Sequence, residues 1–260
     1  MSDRPPGRVS LGQNFLADPN LLEAIVREAD LSAADVVLEV GGGHGVLTER
    51  LAAEASVVHV IEIDERLRAG LEEIAARREG VGLVMGDAMK VDFRKLEPAP
   101  TAIVANLPYS VATPVIMRSI EELGSVQRWT VMVQREIADR LRAVPRTKPY
   151  GAPSVLAQLA CRVEMLRAVD RRVFKPPPRV DSALLRLERV AEWPGDDVAR
   201  LVRAAFAHRR KALARSVATA GVESRQRVLE ALRTMGKDPM ARAEELEPRE
   251  FVTLAKELES

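Results

Sequence analysis

The sequence predicts an α/β fold, a mainly parallel sheet with helices on both faces, plus a small C-terminal helical domain. Three observations predict it. Short apolar, β-branched runs alternate with segments of helical period through the first half of the chain. A glycine-rich turn follows the first of those runs, where such sheets place a ligand. Beyond Trp193-Pro194-Gly195 the strand-like runs stop and only helical patterns remain.

The elements follow in order. Asp18-Pro19 is a cap and first residue for a helix running to about Glu28, with Leu21, Leu22, Ile25 and Val26 on its apolar face. Val36 to Val40 is the first buried strand, and Val57 to Ile63, Val81 to Met85, Ala102 to Ala105 and Val126 to Val133 are further strands. Residues 65–78 and 114–123 between them carry helical patterns. Two more strand-like runs between Val163 and Glu188 flank Phe174-Lys175-Pro176-Pro177-Pro178, whose prolines forbid regular ladder bonding and imply a stiff loop. Helical patterns at about 196–206, 209–219, 223–235 and 247–258 complete the chain. The composition shift divides it into domains 1–193 and 194–260. There is no internal repeat or low-complexity tract.

Composition narrows the function classes. An apolar content of 47% in 260 residues is enough for a full core. A single cysteine, Cys161, excludes an intrachain disulfide and a cysteine-rich zinc site, and suits a reducing compartment. No stretch reaches the roughly twenty apolar residues of a membrane span, so a cytoplasmic location is expected. The formal net charge of +1 conceals an asymmetry: residues 1–125 carry −8, residues 126–220 carry +11 and residues 221–260 carry −2. The basic segment is densest from Arg200 through Arg203, Arg209, Arg210 and Lys211 to Arg215, with no acid between Val198 and Val222. That pattern fits either a footprint for nucleic-acid phosphates or a solvated helix face.

The first strand ends in Glu39-Val40-Gly41-Gly42-Gly43-His44-Gly45. Glycines there let a ligand approach the backbone closely. A dinucleotide site requires G-x-G-x-x-G, and neither Gly41 nor Gly43 as a start satisfies it, because the last positions are Val46 and Thr48. The shorter G-x-G-x-G after an acid suits a cofactor with one ribose and a charged amino-acid tail. Glu62, about twenty residues on at the second strand end, is placed to accept both ribose hydroxyls. Asp87 follows the third strand and is either an acceptor for an adenine amine or a helix cap.

The fourth strand runs into Asn106-Leu107-Pro108-Tyr109, which resembles the Asn/Asp-Pro-Pro-Tyr type motif of amine methyltransferases. An aryl amine such as adenine N6 is a poor nucleophile because its lone pair is delocalised into the ring. The Asn106 side-chain oxygen and the Leu107 carbonyl are two acceptors for its N–H groups, favouring the tetrahedral nitrogen of the transition state. Pro108 supplies a rigid turn, and Tyr109 supplies a face for an extruded or unpaired base.

With these motifs the chain is similar, over nearly its whole length, to the small-subunit ribosomal RNA adenine dimethyltransferase family. The resemblance implies a Rossmann-like class I methyltransferase sheet, S-adenosylmethionine as cofactor, no metal, and direct in-line methyl transfer to adenine N6, repeated to give dimethyladenine on two adjacent adenines. Gly12-Gln13-Asn14-Phe15-Leu16 resembles the family's N-terminal segment, implying that Asn14 and Leu16 touch the cofactor. The implied cofactor contacts elsewhere are Gly41, Gly43, Glu62, Asp87 and Asn106. The run from Phe174 to Ala183 resembles the family's Pro-rich loop, in which the phenylalanine faces the target base, so Tyr109 and Phe174 would form two faces of one slot. His208-Arg209-Arg210-Lys211 resembles the basic stretch of the family's C-terminal domain, implying ribosomal RNA contacts by Arg209, Arg210 and Lys211.

This sequence departs from the family pattern at Gly42, where proline is common, at His44, where a small or apolar residue is common, and at Ser110-Val111-Ala112-Thr113 after the tyrosine. His44 is assigned no chemistry. The expected partner is small-subunit rRNA in a pre-30S particle, and the expected state is a monomer. A 23S rRNA adenine methyltransferase of the macrolide-resistance type and a non-catalytic small-subunit assembly factor are the alternatives.

Overall fold

In the computed structural model, which describes residues 15–16 and 18–259, the chain forms two compact units. The first takes in the chain up to Ala138 together with Glu164–Arg189, and the second is Asp139–Val163 with Val190–Ser260.

The first unit is built on a sheet of order β4-β3-β2-β5-β6-β9-β7. Its strands are β2 (Val36–Val40), β3 (Val57–Glu62), β4 (Val81–Met85), β5 (Ala102–Asn106), β6 (Arg128–Gln134), β7 (Cys161–Val169) and β9 (Ser182–Arg189). The pairs from β4 through to β6 are parallel, and β9 runs antiparallel to β6 with Met132 opposite Leu184. Every residue of β2 is buried, as a parallel strand covered on both faces requires. Chain order runs outward from β2 to β4 on one side and from β5 to β6 on the other. The crevice between β2 and β5, at the carboxyl ends of the strands, is therefore where such a sheet binds ligands.

The crossovers are helices α2 (Val46–Glu54), α3 (Arg68–Arg77) and α4 (Ala112–Glu122). Ahead of them α1 (Pro19–Ala29) starts where the Asp18 carboxylate accepts the amides of Asn20 and Leu21 at 2.8 and 3.2 Å. It buries Leu21, Leu22 and Ile25. A separate ribbon joins two distant parts of the chain: β1 (Phe15–Leu16) pairs antiparallel with β8 (Phe174–Lys175), Leu16 opposite Phe174.

Two more helices, α5 (Arg135–Leu141) and α6 (Ala152–Ala160), follow β6. The second unit contains α6, α7 (Asp196–Phe206), α8 (Leu213–Thr219), α9 (Arg225–Thr234) and α10 (Pro248–Glu259), packed mutually. The second unit takes in Asp139–Val163, which packs with the C-terminal helices, besides the chain from Val190 on. Polar bonds explain why. The Tyr150 hydroxyl donates to the Leu246 carbonyl at 2.8 Å, the Arg146 amide donates to the Glu244 carbonyl at 2.7 Å, and Tyr150 meets Phe206 edge to face at 5.8 Å. The expected helix over 209–219 begins only at Leu213, because His208 to Lys211 closes as a turn and Ala212 is extended.

Candidate active site

The glycine turn leaves β2 with the Gly41 amide donating to the Ile61 carbonyl at 2.8 Å. Gly43 sits at φ +57°, a left-handed conformation that disfavours a side chain, and its amide donates to Glu62 Oε2 at 2.9 Å. Gly42 is demanded by packing: an added Cβ would lie 2.4 Å from Val60 Cγ1 and 3.3 Å from Leu71 Cδ2. The departure from the family's usual proline thus matches the side chains beneath the turn.

Glu62 closes β3 and is 4% exposed. Its Oε1 accepts the amides of Ile63 and Asp64, both at 2.9 Å. A carboxylate has about four lone-pair sites, so three amides fix its orientation and leave acceptor capacity. The Glu62 carbonyl accepts the Gly86 amide at 2.8 Å, which ties the end of β4 and Asp87 to the same corner. Asp87 Oδ1 accepts the Met89 amide at 2.9 Å, the behaviour of a turn cap.

Glu39 is the acid that precedes the glycines. It is fully buried beneath the turn, and the Thr48 hydroxyl donates to its Oε2 at 2.6 Å. Burial pushes its pKa up to about 8, against the lowering effect of Thr48 and with a further rise from the charge of Glu62. At neutral pH it is mainly a neutral acid. The signal was present in the sequence as an acid inside a run of valines.

On the other side of the crevice, Asn106 ends β5 opposite Met132, and the Leu107 amide extends the ladder to the Met132 carbonyl at 3.1 Å. Leu107 is buried, and the Val111 amide donating to the Pro108 carbonyl at 3.1 Å turns the chain into α4. A Cβ on Gly41 would lie 3.4 Å from Pro108 Cδ and 3.7 Å from the Asn106 carbonyl oxygen. The glycine turn and the tetrapeptide therefore lie side by side, and the left-handed φ of +84° at Gly41 favours glycine there.

Tyr109 is half-buried, and its hydroxyl shares a 2.6 Å hydrogen bond with Ser182 Oγ. Burial raises the phenol pKa. The expected pairing of Tyr109 with Phe174 as two open faces is not what the structure shows. Phe174 is 1% exposed, in a core cluster with Met132, Val169 and Leu184. The cause is strand alternation: β8 pairs with β1, so Phe174 turns inward and Lys175 outward. Ser182 is the residue that joins Tyr109; it lies in the run that resembles the Pro-rich loop, but no role of its own was expected for it.

Of the N-terminal segment, Asn14 lies outside the described residues, whereas Leu16 is half-buried in β1. Phe15 covers the glycine turn, with a Cβ on Gly43 lying 3.3 Å from its ring. In the second unit, Arg209 donates to the Lys148 carbonyl and to Glu244 Oε2, each at 3.0 Å. Arg210 is exposed, Lys211 is half-buried, and both line an open depression with Ala207, His208 and Arg209.

Comparison with known proteins agrees with this geometry. A family model described as ribosomal RNA adenine dimethylase matches residues 6–260. A ribosomal RNA small subunit methyltransferase A from Rubrobacter xylanophilus is 44% identical over 252 residues, covering 96% of this chain and 94% of its own. Among solved structures, a dimethyladenosine transferase from Plasmodium falciparum superposes with a TM-score of 0.77 at 25% identity, covering 92% of this chain and 95% of that one. The 23S rRNA methyltransferase ErmE superposes with a TM-score of 0.68 at 30% identity, covering 95% and 100%.

Proposed function

The chain belongs to the ribosomal RNA adenine dimethylase family, and from that premise we propose that it methylates the exocyclic N6 of adenines in small-subunit rRNA, two adjacent adenines each receiving two methyl groups. The observation that carries this reading is the packing of Gly41 against Asn106 and Pro108. It sets a cofactor turn beside a set of amine acceptors at the switch point of the sheet.

The residues fit S-adenosylmethionine. Gly41 and Gly43 expose backbone, Glu62 holds a preoriented carboxylate for ribose hydroxyls, and Asp87 at the end of β4 is the acceptor for the cofactor's adenine amine. Leu16 covers the site, and Asn14 is assigned there with it. When bound, the cofactor supplies an electrophilic methyl group on a cationic sulfur.

The protein positions the acceptor. The Asn106 amide oxygen and the Leu107 carbonyl bind the two N–H groups of adenine N6 and favour a pyramidal nitrogen. Pro108 holds that turn, and Tyr109, anchored by Ser182, offers the base a face. The alkylated amine is acidic enough to lose its proton to solvent, so no general base is assigned. Phe174 holds the Pro-rich loop onto the core beside this site.

We assign residues 1–193 to catalysis and 194–260, through Arg210 and Lys211 with Arg209 behind them, to rRNA binding. The partner is a pre-30S particle, the enzyme a cytoplasmic monomer. Among the described residues no helix is long and apolar enough to cross a membrane.

The likeness to ErmE gives the large subunit as the second reading. Labelled methyl transfer from S-adenosylmethionine to unmethylated small subunits, large subunits and naked rRNAs decides between them. Dimethyladenine confined to small-subunit rRNA is the expected result, whereas label in large-subunit rRNA overturns it.

A further inference from the structure

Beside the wall that Tyr109 shares with Ser182, the first unit carries exposed cations that the chemistry above leaves unused. Arg171, Lys175 and Arg179 are all exposed. Hydrogen bonds hold Arg171 beside Arg179. Arg171 Nη1 donates to the Arg179 carbonyl at 3.1 Å, and the Arg171 amide donates to Asp181 Oδ1 at 3.3 Å. Asp181 is followed by Ser182, the partner of Tyr109. The inward turn of Phe174 sends Lys175 outward on the same loop.

Charge pairing separates these three from their neighbour. Arg172 is neutralised by Asp170, which accepts two bonds from its guanidinium at 2.9 and 2.7 Å and is held down to about 2, chiefly by those bonds. No ion pair engages Arg171, Lys175 or Arg179 among the described residues. Asp181 is the acid beside them, one against three. Pro176 to Pro178 stiffen the intervening chain, so little backbone order is lost when a ligand is held there.

We propose that Arg171, Lys175 and Arg179 form an RNA-backbone clamp on the first unit, gripping the phosphates that flank the target adenine. The proposal rests on the rRNA methyltransferase reading. A base seated against Tyr109 carries its own 5′ and 3′ phosphates to the rim of the site, where these cations lie. The clamp carries no sequence information; it fixes the register of the strand so that N6 reaches the Asn106 acceptors. It is distinct from the C-terminal basic stretch in sequence, in unit and in its distance of a few residues from the catalytic wall.

The test is the salt dependence of KM for small subunits with the full-length protein, comparing wild type, the double variant Lys175→Gln/Arg179→Gln, and Arg172→Gln as a control whose charge is already compensated. Each phosphate contact removed lowers the slope of log KM against log salt by about 1. The double variant is expected to lose about 2 from the slope, with an unchanged melting temperature and unchanged cofactor affinity in calorimetry. Arg172→Gln is expected to match wild type. A wild-type slope in the double variant, or an equal loss in Arg172→Gln, overturns the clamp while leaving the enzyme's function standing. A wild-type protein that labels no RNA overturns the functional reading and the clamp with it.

Discussion

The ring of Phe15 lies against the imidazole of His44, with centroids 4.2 Å apart and planes tilted by 42°. This contact makes His44 the seat of the N-terminal strand on the glycine turn. Because β1 is also paired with β8, the turn, Phe15–Leu16 and Phe174–Lys175 are joined in one structure. The departure at His44 thereby acquires a physical role.

Removing the imidazole loosens that cover. Aromatic pairs contribute about 0.5–1.5 kcal/mol, so His44→Ala is expected to raise KM for S-adenosylmethionine by about two- to twelvefold with little change in kcat. His44→Phe, which keeps a ring under Phe15, restores it. Steady-state kinetics of the two variants check this, and equal behaviour of both would refute the role.

Glu62 supplies a charged acceptor held by three backbone amides. Glu62→Gln turns an NH2 group toward donors and removes the charge that hydrogen bonds of about 1.5–3 kcal/mol rely on. Calorimetric titration is expected to show cofactor affinity reduced by about ten- to a hundredfold, while binding of rRNA persists.

Glu39 gives stability a defined pH dependence. Its folded pKa of about 8 lies above its ordinary value of 4.5, so between those values the folded chain keeps a proton that the unfolded chain has lost. The contribution is fully present below about pH 4.5 and disappears as pH rises to about 8, a loss on the order of a few kcal/mol. Urea unfolding at pH 6 and pH 8.5 is expected to show wild type losing more stability than Glu39→Gln. Parallel losses would contradict the assignment.

Arg209 and Arg210 are expected to part company. Arg209 braces Lys148 and Glu244 from a half-exposed position, so Arg209→Ala costs about 1 kcal/mol of stability, discounted for solvent screening. Arg210→Ala leaves unfolding unchanged and weakens rRNA binding. Thermal melts set beside filter binding separate the two.

Much of the fold and site was legible because it rests on local chemistry. β-branched runs give the parallel strands, Asp18-Pro19 gives the start of α1, and the spacing from the glycine turn to Glu62 gives two residues, Gly43 and Glu62, that share a 2.9 Å hydrogen bond. What was hidden rests on long-range pairing. Two-residue strands such as β1 and β8 have no period to detect, and their pairing decides that Phe174 points inward. Tyr150 reaches across 96 residues to the Leu246 carbonyl, a bond that no window of sequence displays, and with it goes the placement of Asp139–Val163. The late start of α8 depends on one extended residue, Ala212, whose type favours helix.

The most direct test of the account is the rate of labelled methyl transfer to small subunits by wild type and Asn106→Ala, with the product identified after digestion to nucleosides. The prediction is dimethyladenine from wild type and a rate lowered by about 10²–10³ in the variant, as for loss of one transition-state hydrogen bond, with melting temperature unchanged. Transfer by Asn106→Ala at close to the wild-type rate, or a labelled nucleoside other than an N6-methylated adenosine, would contradict it.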